Sequence, residues 1–266
     1  MDPRPPKPLG TSFYGPSVDA VVGLAALVGF AWLSVMGPAA GWPGAGLAVG
    51  LGVAAMAPGL RVEARLLALV VASTAVATMV VPPVWPLVQL TMVAPAVAAA
   101  LWIPSLPPPT RCLVRGQLDP WPVVALGLLA AVALVAWALG TSPDLRQATA
   151  MVPAWPWPVL VAAGLGFSVV NALLEEVVFR GLLQGLARSW LGPGLAPLLL
   201  QGAAFGVLHW HGVPSGPLGA LMAGSWGVML GWARRRSQGL LTPVVAHVVA
   251  DAVIFTLLVG LAGALP

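Results

Sequence analysis

Charge is scarce in this chain: 8% of its 266 residues are Asp, Glu, Lys or Arg, against 59% hydrophobic. Soluble domains carry about 25% charged residues, so a water-borne fold is excluded. Cysteine is almost missing. The single Cys112 can form no disulfide within the chain and has no CxxC or histidine neighbour to make a metal site. The HExxH spacing of zinc proteases is absent, and there are only 3 histidines, at positions 209, 211 and 247. The opening "MDPRPPKPLGTSFYGPS" lacks an apolar core followed by a small-residue cleavage site, so residues 1–17 are expected to be a flexible cytoplasmic tail. A sequence pI near 10.6 invites a nucleic-acid reading. The net charge is only +4, however, and the arginines sit in short clusters between apolar runs, so no nucleic-acid partner is expected.

What the chain does have is apolar length. Its mean hydropathy is +0.95, and stretches fit to cross a bilayer, which takes about 20 helical residues, recur along it. The expected fold is all-α, a polytopic transmembrane helix bundle of about 8–9 spans. Candidate spans are 18–36, 42–58, 66–82, 84–103, 120–140, 158–182, 195–211, 216–233 and 240–263. "VPPVW" (Val81 to Trp85) between the third and fourth leaves room for a tight re-entrant hairpin there. With the N-terminus cytoplasmic, this count puts Arg4, Lys7, Arg61, Arg65, Arg111, Arg115, Arg188 and Arg234 to Arg236 on the cytoplasmic side. Only Arg146 falls in an outside loop, while Arg180 lies within a span. Tryptophans near span ends, as in "WPWP" (Trp155 to Pro158), read as headgroup anchors, and the arginines at 234–236 as a topology and lipid-headgroup signal.

Loop 105–116, "SLPPPTRCLVRG", is the clearest internal boundary. It divides an N-terminal transmembrane section (18–116), to which no role is assigned, from a section (117–266) that holds nearly all the chemistry. Asp19 and Asp119 read as interfacial or helix N-terminal residues. No repeat relates the two sections, which disfavours an inverted-repeat transporter.

The chemistry begins at "NALLEEVVFRGL", Asn171 to Leu182, where two carboxylates and an arginine interrupt a lipid-compatible run. Each charge at membrane depth costs about 2.5–3.5 kcal/mol on insertion scales, so the three require compensation or purpose. Glu176 and Arg180 are i,i+4 and can neutralise each other. Glu175 points about 100° away and is left free to act as a base. His209 follows Phe205 by one turn, and Asp251 follows His247 by one turn. Two spans with a histidine each and one with a glutamate pair can supply a hydrolytic site, a metal site or a proton path. His211, two residues from His209, faces elsewhere and reads as interfacial.

EExxxR (Glu175 to Arg180), FxxxH (Phe205 to His209) and HxxxD (His247 to Asp251), in that order on separate apolar spans, resemble the three motifs of the CPBP intramembrane proteases. That family includes the prenyl-protein (CAAX) endopeptidase Rce1 and bacterial relatives, and the resemblance covers roughly residues 158–260. It implies that Glu175 is the general base activating water, that His209 orients or polarises that water, and that His247 with residue 251 stabilises the oxyanion. Glu176 and Arg180 would hold the site together, with Phe205 packing beside it and Asn171 as a supporting donor. The Rce1 branch has asparagine where this chain has Asp251. An ionised aspartate donates no hydrogen bond, so Asp251 is expected instead to fix the tautomer of His247 or to bind a cation.

Metal-independent catalysis is favoured; zinc, if present, would use Glu175, His209 and His247. The implied activity is an intramembrane endopeptidase of the bacterial inner membrane acting on a membrane protein or peptide. Its products would include proteins relieved of C-terminal sorting or anchor tails, as in the similar myxosortases. The rival reading is a non-proteolytic membrane binding or immunity protein, or a proton-conducting transporter. Nothing in the sequence specifies the oligomeric state.

Overall fold

The computed structural model describes residues 16–80, 94, 114–150 and 152–261. These form α1 (Pro16–Met36), α2 (Gly41–Ala55), α3 (Val62–Val80), α4 (Pro120–Thr141), α5 (Trp157–Glu176), a π-helical segment (Val177–Leu183), α6 (Gln184–Leu191), α7 (Ala196–Leu208), α8 (Gly216–Ser237) and α9 (Leu241–Leu261). Among the described residues there is no strand, so the fold is all-α. Every expected span falls on one of these helices except 84–103, which apart from residue 94 lies outside the described residues together with "VPPVW" and Cys112.

Among the described residues four helices are long and apolar enough to cross a membrane: Val18–Met36, Pro120–Thr141, the continuous Trp157–Leu191 and Leu241–Leu261. At 1.5 Å per residue, the 15 residues of α2 and the 13 of α7 reach only about 20 Å, short of a hydrocarbon core of about 30 Å. The expected spans 42–58 and 195–211 are therefore helices that do not cross it unaided. Helix α4 shows what the surface faces. Val124, Leu128, Val132, Val135 and Leu139 form an exposed stripe, while Leu126, Ala130, Leu134 and Trp137 are buried on the opposite side. An apolar face this continuous suits lipid rather than water. The chain is an integral membrane protein.

Helices α7 and α8 pack almost backbone to backbone. A Cβ on Gly206 would collide with the Ala220 carbonyl oxygen, so the small residue permits the approach. The N-terminal section is not a separate layer. Phe30 of α1 meets Phe179 of the π segment edge to face at 5.8 Å, within one apolar core that runs from α1 and α3 into the segment and α7. Asp19, expected at an interface, is 3% exposed; it accepts the Arg61 backbone N–H at 2.8 Å, tying α1 to the start of α3. At the same end Asp119 caps α4 by accepting the Trp121 N–H and pairs with Arg236 at 2.6 Å. Backbone bonds from Leu240 and Leu241 N–H to the carbonyls of Val114 and Arg115 fasten the segment before α4 to the α8–α9 turn.

Candidate active site

The charged stretch lies at the end of α5, where the helix widens. The Gln184 N–H reaches back five residues to the Phe179 carbonyl, and Val178 through Leu183 are all buried. Such π insertions recur at functional sites because they turn a helix face without breaking the helix. Here the widened turn lies between α1, α3 and α7, so no side of it meets lipid.

Glu176 and Arg180 are both fully buried and paired, Oε1 to Nη1, at 2.9 Å. Arg180 also lies 4.4 Å from the Phe205 ring centroid, a cation–π contact that replaces part of the hydration lost on burial. Its N–H groups are not aligned for hydrogen bonds, so the contact is ionic rather than a bidentate fork. The same Glu176 Oε1 lies 2.8 Å from His247 Nδ1. A carboxylate only accepts, so Nδ1 carries a proton and Nε2 turns to the other side of the ring. There it stands 3.6 Å from Glu175 Oε2 and 3.6 Å from Asp251 Oδ1.

Consecutive glutamates thus flank one imidazole. Glu176 occupies the place expected for Asp251 in fixing the His247 tautomer, because a residue on a neighbouring helix approaches Nδ1 while Asp251, on the same helix, reaches only the Nε2 side. Asp251 is held by Asn171, whose Nδ2 donates to Oδ2 at 3.2 Å. The Glu175 Oε2 is buried and has no hydrogen-bond partner among the described residues.

His209 begins the short 3-10 turn after α7. Its Nδ1 is 2.9 Å from the Phe205 carbonyl, which can only accept, so the proton sits on Nδ1 and Nε2 is an acceptor when the ring is neutral. Phe205 touches both histidines, with centroids 4.4 Å from His209 and 5.7 Å from His247, and meets Phe179 at 5.0 Å. His211 does face elsewhere: its Nε2 lies 2.9 Å from the Val35 carbonyl in the last turn of α1.

A cavity of 370 Å³ opens on this cluster, with His209, His247 and Asp251 on its polar side and Leu129, Leu134, Met222, Trp226, Met229 and Ile254 on its apolar side. Glu175 does not line it and meets it through His247 and Asp251. Sequence reading did not find the cavity wall, because α4 and α8 contribute ordinary apolar residues with no motif. Phe179 carries no signal of its own inside EExxxR, yet its ring packs on Phe205 beside the site. Among the described residues no group of three His, Cys, Asp or Glu side chains is arranged as a ready metal centre.

Residues 153–253 match the family model described as type II CAAX prenyl endopeptidase Rce1-like. This segment is an Rce1-like domain of the kind found in the CPBP family. All four candidate catalytic residues lie within the matched segment, while α1 to α3 and α4, which packs on α9, precede it. The Rce1-like domain therefore sits in a larger bundle whose N-terminal helices pack directly on its charged turn. No curated protein and no solved structure matches the chain. The match supports, in general terms, a CAAX-type intramembrane protease.

Proposed function

We propose that the chain hydrolyses peptide bonds of membrane-associated proteins or peptides through a water activated by Glu175. The observation that carries this reading is the His247 ring set between Glu175 and Glu176 at the edge of the cavity. A water admitted past the cavity edge meets Glu175 Oε2, the base that has no hydrogen-bond partner, and His209 Nε2, which accepts a hydrogen bond from it and orients it. Glu175 takes the other proton as the water oxygen attacks the scissile carbonyl carbon. The oxyanion donor is then His247 Nε2–H of the imidazolium, since Nδ1 is engaged by Glu176 and an ionised Asp251 has no proton to give. Glu175 returns its proton to the leaving amine as the C–N bond breaks. Asn171 and Asp251 position the His247 side of the site, and Glu176 with Arg180 anchors it.

The substrate class we favour is a protein or peptide with an apolar segment beside the scissile bond, such as a C-terminal membrane tail, because the cavity is apolar away from its histidines. The setting in this reading is a bacterial inner membrane, with the basic loops favouring a cytoplasmic N-terminus. The deciding experiment purifies wild type and Glu175→Gln in detergent, each with and without a strong chelator. It follows cleavage of co-expressed membrane-tailed proteins by mass spectrometry. Cleavage that is lost in the variant and survives chelation supports the mechanism. Identical product profiles for the two proteins overturn it and bring the membrane-binding reading forward.

A further inference from the structure

A second feature lies at the other end of the Trp157–Leu191 helix, away from the histidines. The buried Gln184 Nε2 donates to the Gly231 carbonyl at 3.0 Å and sets α6 against α8. Helix α7 runs back between them through short connections, so α6 and α8 point the same way. Arg188 and Arg235 each stand four residues beyond that contact, one turn on and on the same helix faces. The register places both guanidinium groups at the same end of their helices, one turn past the contact. Partial burial, and after it the Arg188 charge, pulls Arg235 below the usual arginine value.

Like charges held together need an anion. Among the described side chains every carboxylate is engaged elsewhere: Asp19 with Arg61, Asp119 with Arg236, Asp144 with Arg146, and Glu175, Glu176 and Asp251 in the site. The Arg235 Nη2 is buried and has no hydrogen-bond partner. Helix C-termini attract cations in general, but that attraction does not explain the unsatisfied Nη2. The rim is apolar: Leu191 and Trp232 are about half exposed beside the two arginines. Two guanidiniums over an apolar rim suit a phosphate diester whose acyl chains continue along the helices.

We propose that Arg188 and Arg235 together hold the phosphate of an anionic lipid headgroup where α6 and α8 end. The rim selects lipid over free phosphate, and the net negative headgroup selects phosphatidylglycerol over phosphatidylcholine.

The test follows thermal unfolding of the full chain in neutral detergent as phosphatidylglycerol, phosphatidylcholine or inorganic phosphate is added. Native mass spectrometry counts bound lipid alongside. Phosphatidylglycerol should raise the unfolding temperature of wild type and of Arg236→Gln, whose arginine already has Asp119. Arg188→Gln/Arg235→Gln should lose that rise and the bound lipid, while Arg235→Lys, which keeps the charge but not the fork, should retain a reduced rise. An equal rise in the double variant, or an equal effect of phosphatidylcholine on wild type, overturns the proposal. A response to inorganic phosphate as large as that to phosphatidylglycerol overturns the lipid assignment in favour of a free anion. None of these readouts depends on proteolysis.

Discussion

His247 Nδ1 and Arg180 Nη1 converge on one oxygen, Glu176 Oε1, at 2.8 and 2.9 Å. A single buried carboxylate therefore neutralises the arginine and aims the imidazole. Removing its charge strips both partners at once. Breaking a buried ion pair costs about 3–5 kcal/mol, because the surviving charge is left without compensation. Glu176→Gln should lower stability by about that amount. Glu176→Gln/Arg180→Met should recover most of it, and both effects can be read from thermal unfolding in detergent. A double variant no more stable than the single would show that the pair does not carry this part of the fold.

Glu175 predicts the opposite pattern. Its Oε2 has no hydrogen-bond partner, so replacing it by an amide removes no bond at that atom. Glu175→Gln should stay within about 1 kcal/mol of wild type in stability while losing general-base catalysis, typically a factor of about 10²–10⁴. Unfolding temperature and cleavage rate measured on one preparation separate these outcomes. A variant that unfolds yet cleaves at the wild-type rate while folded would mark Glu175 as a structural residue.

The ring series Phe30, Phe179, Phe205 and the two histidines links α1 to the site. Phe30 is 4% exposed, so Phe30→Ala should cost about 3–5 kcal/mol. With only 3 histidines in the chain, imidazole NMR signals can be assigned by substitution. Phe30→Ala should move the His209 signal through the displaced Phe205 ring. An unmoved signal would confine Phe30 to bulk packing.

His211 offers a gentler probe of the same coupling. Its bond to the Val35 carbonyl joins the turn holding His209 to the end of α1. His211→Ala should lose about 0.5–1.5 kcal/mol, and His211→Gln, which keeps an N–H donor, should lose less. Equal losses in urea or thermal titrations would remove the bond from the account.

The cavity predicts a separation of binding from chemistry. Ala133, on its α4 wall, faces space that a tryptophan would fill. Ala133→Trp should raise KM for an apolar-tailed substrate with a smaller change in kcat. A pure kcat effect would mean that substrate enters by another route.

Several of these relationships could be read along the chain. The i,i+4 spacing of Glu176 and Arg180 specified their contact, since helix periodicity is local. The three motifs likewise marked the residues that gather around His247. Other relationships depended on placement. Glu175 and Glu176 point about 100° apart, yet both approach one ring because imidazole has a nitrogen on each side and α9 brings it between them. The π segment was not legible, because widening depends on the helices packed around it rather than on the preferences of "VVFRGLL".

Composition and periodicity by themselves determined that this chain is a bundle of apolar helices in a membrane, because scarce charge and long apolar runs leave backbone groups no other way to be satisfied in lipid. Order and spacing of a few polar residues determined which helices carry the chemistry. Tertiary structure alone decided that Glu176, rather than Asp251, holds His247, that α1 packs on the charged turn, and that α4 and α8 wall the cavity. These depend on distances between residues far apart in sequence, which side-chain packing sets and no local pattern records.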